Sequence, residues 1–257
     1  MKRILLFILL FSCFESIAQD KLSDLKKAYK LKSDSLYTEF LDTWHKKDKP
    51  IESLDSLSQI QKDVYEIFQD FYNPFTFSKM SGSEDSTMYS NYKYIIVSNL
   101  IYYKVYDSDT ISDDWGWSMF LKDTEPQVLI YDSITNFRPN LNFNGVKVIY
   151  EDKELIKILN KFLGNRHKSF TIFAPAYAKG KSEEKQKFIL TKLGIIYGHW
   201  GGYWHITTHP DVNKITFNKY KNKAYVSYRF GYQGGESYYE KVNGKWFFKH
   251  AQFTWIE

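Results

Sequence analysis

The sequence predicts an α+β protein: an N-terminal helix pair packed on a curved antiparallel β-sheet, with a C-terminal β-meander. Three observations carry this. Apolar residues recur at three- and four-residue spacings from Leu22 to Tyr72. The last sixty residues alternate in β-rich runs separated by turn residues. Between them, short Val/Ile/Tyr runs are interleaved with two helical segments that carry cap signals. At 257 residues, 43% hydrophobic and 25% charged, the composition is that of a chain with a core.

The first eighteen residues read as an address. Met1-Lys2-Arg3 is a positive n-region, Ile4 to Phe14 is apolar but too short to span a bilayer, and Ser16 and Ala18 place small residues before a cut at Gln19. Residues 1–18 are therefore expected to be a signal peptide, and the protein is expected to be periplasmic or secreted. Leu10-Phe11-Ser12-Cys13 offers an alternative, a lipobox that would anchor the chain to a membrane through a lipidated Cys13. Residues 19–257 are expected to form one domain, with a helical part at 20–75, a mixed part at 92–195 and the meander at 203–257. No later segment approaches eighteen uninterrupted apolar residues.

Within that domain, Leu25, Tyr29, Leu36, Phe40, Leu41 and Trp44 define a helix from Leu22 to about Lys47, ended by Pro50. Leu57, Ile60, Val64, Ile67, Phe68 and Phe71 define a second, from Leu54 to Tyr72, ended by Asn73-Pro74. Strands are expected at Tyr94–Tyr106, Gln127–Ile134 and Val146–Tyr150. Asp152 caps a helix closed by Gly164, and Ser182 caps one closed by Gly194. The meander runs through Lys214–Tyr220, Lys223–Tyr232, Glu236–Val242 and Lys245–Ile256. Asn243-Gly244 is a two-residue type I′ turn that sets Val242 opposite Lys245 and hence Tyr239 opposite Phe248 and Ser237 opposite His250. The Tyr239/Phe248/Trp246 side is expected to face the core, which places Ser237 and His250 inward.

Composition excludes several chemistries. Cys13 is the only cysteine, so the remaining chain has no disulfide, no thiolate metal site and no thiol nucleophile. Four Arg among thirty-five basic residues, a net charge of +5 and no long basic run argue against nucleic acid. Gly180-Lys181-Ser182 lacks the first glycine of a phosphate loop, Asp107-Ser108-Asp109 lacks the later ligands of a calcium loop, and no cofactor is implied. There is no G-x-S-x-G elbow and no H-E-x-x-H.

One segment concentrates candidate binding residues. His199, Trp200, Tyr203, Trp204 and His205 surround Gly201-Gly202, either as an aromatic platform for a sugar or other flat ligand or as core filling around a tight turn. Metal binding fits poorly: Ile206, Thr207, Thr208 and pre-proline His209 favour extended backbone, which puts His205 and His209 about 13 Å apart. Arg229 is either a ligand-carboxylate partner or paired with Glu236 or Glu240; Ser237 and His250 complete the candidates.

Asp70-Phe71-Tyr72-Asn73-Pro74-Phe75, Asn136-Phe137-Arg138-Pro139, the segment 198–204, Gly231–Glu236 and Thr254-Trp255-Ile256-Glu257 resemble a family of secreted bacterial proteins of unknown function, over most of the chain. The helix pair before the sheet also resembles an NTF2-like or cystatin-like cone. Neither resemblance implies an activity. The function expected is a non-enzymatic exported module that binds a small ligand, a glycan or a partner protein. The alternatives are a hydrolase with His199, His205 or His250 as general base, and an interaction module acting through the N-terminal helices.

Overall fold

The computed structural model describes residues 21–81, 89, 91–111, 126–164, 181–195, 197–199, 203–204, 206–231 and 233–256. The fold is α+β, and its described residues divide into two compact units. One takes the chain up to Asp48, Tyr92–Ile96 and Gly145–Ile206; the other takes Lys49–Asn91, Val97–Asn144 and the chain from Thr207 onward. The two N-terminal helical stretches read from the sequence as a pair fall into different units. Among the described residues no helix is long and apolar enough to cross a membrane.

In the first unit, the helix expected from Leu22 to Lys47 is two helices, α1 (residues 21–30) and α2 (Asp34–Lys47). Lys32 takes a positive φ of 48° between them, and the Ser33 hydroxyl accepts from the Leu36 N–H, so a serine cap starts a new helix where the apolar period runs on. The unit holds a three-stranded sheet in the order β4 (Lys147–Tyr150), β1 (Tyr94–Val97), β5 (Leu193–Gly194), in which β1 and β5 are parallel. Helix α4 (Lys153–Leu163) is capped as expected. Asp152 accepts from the N–H groups of Glu154 and Leu155, and Gly164 closes the helix in the left-handed region at φ 76°. Lys47 pairs with Asp152 at 2.8 Å; burial alone would raise that carboxyl, but this pairing and the two cap hydrogen bonds outweigh it and hold it below its ordinary value.

Helix α5 (Lys181–Ile189) stops five residues before Gly194, because Leu193 and Gly194 are claimed by pairing with Tyr94 and Ile95. Ser182 lies inside this helix, one residue past its start, where the sequence placed it as the cap. Strands β6 (Tyr197–His199) and β7 (Tyr203–Trp204) form a two-stranded antiparallel ladder. Leu25, Leu41, Trp44, Ile96, Leu159, Phe162 and Leu193 lie in this unit's buried core.

The second unit is built on a six-stranded sheet in the order β11 (Lys245–Ile256), β10 (Gln233–Val242), β9 (Lys223–Phe230), β8 (Asp211–Phe217), β2 (Leu100–Tyr106), β3 (Val128–Thr135). The meander is antiparallel as expected, but β8 and β2 are parallel, so the sheet is mixed. The single strand expected over Tyr94–Tyr106 breaks at Ser98-Asn99. There the Ser98 hydroxyl accepts from the Leu100 N–H and the Asn99 carbonyl accepts from Phe137.

Helix α3 (Gln59–Phe71) begins five residues later than the apolar period suggests, at a capping box in which Ser58 and Gln61 satisfy each other's N–H groups. Polar clamps fix it to the sheet. Asp63 is buried and pairs with Lys241 of β10 at 2.7 Å, Gln59 donates to the same carboxylate, and Glu66 accepts from the Trp246 N–H of β11. Ile101, Val105, Ile215, Phe217, Val226, Ala224 and Tyr239 turn to the same, buried side.

Candidate functional site

The register of β9, β10 and β11 follows from their shared turns. Asn243 and Gly244 both have positive φ, 51° and 82°, as a type I′ turn needs, and Val242 lies opposite Lys245. The expected pairs hold through Tyr239 opposite Phe248. There Lys249 enters as an extra residue, so His250 pairs with Tyr238 and Ser237 with Ala251.

The bulge corrects the placement of His250 and leaves Ser237 facing inward, as expected. His250 is exposed on the outer face of the sheet instead of facing inward. Ser237 is fully buried on the inner face and donates to the Lys79 carbonyl, an internal tie that holds the segment after α3.

With this register the outer face of the three strands carries three rows, each crossing β9, β10 and β11 in turn. They are Tyr225–Tyr238–His250, Ser227–Glu236–Gln252 and Arg229–Gly234–Trp255. Rows two residues apart on a strand are separated by about 6.6–6.8 Å, and neighbouring strands by about 4.8 Å, so the grid has the dimensions of one or two sugar rings.

Aromatic and hydrogen-bonding groups alternate over it. The His250 ring stacks on Tyr238 at 4.6 Å and 12°, and Tyr225 lies on the other flank of Tyr238 at 5.8 Å. The Tyr238 hydroxyl donates to Glu236 at 2.6 Å and accepts from the Gln252 amide at 2.9 Å. This chain joins the first row to the second and fixes the orientation of three polar side chains.

The third row is held differently. A Cβ at position 234 would come within 2.3 Å of the Trp255 indole, so that ring lies directly on the glycine backbone and only glycine admits it. The Arg229 guanidinium sits 5.7 Å from the same ring and donates through Nε to the Gly231 carbonyl. Trp255 remains 41% exposed. Arg229 lies opposite Asp211 and Gly234, whereas Glu236 lies opposite Ser227 and Glu240 opposite Lys223.

His209 takes an internal role. It is buried, its Nε2 accepts from the Gly231 N–H at 3.1 Å, and its Nδ1 is 3.4 Å from Asp211, whose carboxylate also accepts from Thr207. The Tyr89 hydroxyl accepts from its backbone N–H. Residues 206–210 are irregular, and β8 starts only at Asp211, so the straight strand expected through His209 is absent. The turn after β2 is also tied internally: Ser108 accepts from Thr110, and the Asp109 carbonyl accepts from Asn218.

Of the aromatic and histidine cluster, Trp200 and His205 lie outside the described residues. His199, Tyr203 and Trp204 contribute backbone to β6 and β7, with His199 opposite Tyr203, and their side chains are outside the description. Arg229 and His250 are the two sequence candidates that the structure brings to one face. Trp255, Gln252 and Tyr238 were not singled out from the sequence. A signal for Trp255 existed in Gly234-Gly235, since a glycine inside a strand marks close approach of another group. Among the described residues no three His, Cys, Asp or Glu side chains are grouped as a metal site requires. The chain matches no protein-family model, and no curated protein and no solved structure shows significant similarity to it.

Proposed function

We propose that the protein is an exported, non-enzymatic module that binds a glycan on the outer face of β9–β11. The observation that carries this reading is the seating of Trp255. Its indole is fixed on Gly234, remains partly exposed, and stands beside the guanidinium of Arg229 and the linked Glu236–Tyr238–Gln252 groups. A sugar ring presents an apolar C–H face and a rim of hydroxyls. The first is matched by a rigid aromatic surface, and the second by planar carboxylate, amide and guanidinium groups that accept or donate pairwise. Export places such a face where glycans are found.

The test is a glycan array probed with the purified protein, followed by calorimetric titration of the strongest glycan into wild type and Trp255→Ala. Binding is expected in wild type, with an affinity loss of about 30-fold or more in the variant, the size of about 2 kcal/mol for removing a central aromatic anchor. A blank array with no ligand-induced rise in melting temperature contradicts the reading, as does a Trp255→Ala variant that binds like wild type.

A further inference from the structure

The six-stranded sheet ends in two edge strands of different construction. β11 carries Lys245 and Lys249 and two register shifts, devices that blunt an edge against pairing with another chain. β3 has one shift, near Leu129, and no lysine, proline or glycine. Its first five residues, Val128-Leu129-Ile130-Tyr131-Asp132, are all exposed, and Val128, Leu129, Ile130 and Tyr131 are 39%, 49%, 37% and 60% accessible.

Both faces of the strand take part. Ile130 lies opposite Val105 on the inner side, and Tyr131 lies opposite Lys104 on the outer side. Tyr131 is held in place, its ring parallel to Tyr102 at 5.9 Å and 9°, with the Lys104 ammonium 5.7 Å from it. Among the described residues no strand pairs with the outer edge of β3, and its apolar side chains are bared on both faces, which leaves it open to a further strand.

We propose that this further strand is β3 of a second copy, paired antiparallel about a two-fold axis centred on Ile130. The centre of the exposed run fixes that register. It sets Ile130 against its own mate and Leu129 against Tyr131, both apolar matches. The only charge on the strand, Asp132, then falls opposite Val128, so the two carboxylates are about 13 Å apart instead of face to face. Asp132 is also occupied within its own copy, accepting from the Tyr103 hydroxyl at 2.9 Å. A self-complementary patch of this kind closes after two copies, because a two-fold contact uses the same edge of both copies and leaves none of it free.

Sedimentation of the purified protein over a range of concentrations tests this. Wild type is expected to shift from the mass of one chain to that of two. Ile130→Lys and Tyr131→Lys are each expected to raise the dissociation constant at least tenfold while leaving the circular dichroism of the folded monomer unchanged, since both side chains are exposed there. Ile130→Cys is expected to form an intermolecular disulfide on oxidation, and Ser133→Cys is not. A wild type that stays monomeric throughout overturns the proposal, as does a dimer that survives both lysine variants. An edge that pairs with a different protein while the chain itself stays monomeric overturns it too.

Discussion

The two faces of β9–β11 use the same residue types to different ends. On the inner face Val226, Ala224, Tyr239 and Trp246 are buried, and their neighbours are α3 and the sheet itself. On the outer face Tyr225 and Tyr238 are buried while His250 and Trp255 at the margin are exposed, and the polar groups between them are linked by hydrogen bonds. Inner aromatics fill volume, and substituting one is felt by the whole unit. Outer aromatics hold an arrangement, and substituting one changes the arrangement with little effect on the core.

The largest effect is expected from Phe217→Ala. Phe217 is fully buried among inner-face residues and packs edge-on against Trp246 at 5.7 Å, so its loss is expected to cost about 3–5 kcal/mol in chemical denaturation. Asp63→Asn comes next, at about 2–4 kcal/mol. It strips Lys241 of its charge partner at the foot of α3, and the cost stays below that of a fully buried pair because the lysine side chain keeps 18% of its surface in water. Neither change touches the outer rows, so binding of the folded fraction should be unaltered.

Substitutions on the outer face should reverse that balance. Trp255→Ala is expected to change stability by less than about 1 kcal/mol and to abolish most of the affinity. Gly234→Ala keeps the indole but removes its seat, so a smaller loss of affinity is expected by calorimetry, together with an altered Trp255 signal in fluorescence.

The smallest effect is a pH dependence on the inner side of β2. Burial, and then the hydrogen bond to Asp132, push the Tyr103 hydroxyl up to about 12. The folded state favours the neutral phenol, so this contribution is complete below pH 10 and is lost as pH rises towards 12. Tyr103→Phe is expected to flatten the stability profile over that window in alkaline denaturation.

Much of this was legible in the sequence where the determinants are local. Asn243-Gly244, Asp152 and Gly164 act over two to four residues, and the meander register near the turn followed from period two alone. What was illegible depends on distant pairing or on one inserted residue. The parallel union of β2 with β8 joins segments about 110 residues apart, and Gly194 was read as a helix stop because its partner Ile95 cannot be seen from its neighbours. Lys249 looks like any residue of an alternating strand, yet by entering as a bulge it moves His250 from the inner to the outer face. His250 was therefore named with the wrong surroundings, and Trp255 was passed over because its seat is made by a glycine on another strand.

The most direct measurement of the binding face is a titration of isotopically labelled protein with the strongest glycan from the array, followed by the backbone amide and indole N–H resonances. Binding at the three outer rows is expected to shift the Trp255 indole and the amides of Ser227, Arg229, Glu236 and Gln252, and to leave those of Val226 and Tyr239 largely unmoved. Perturbations that avoid the Trp255 indole, or that spread through the inner face with the outer rows unchanged, contradict it.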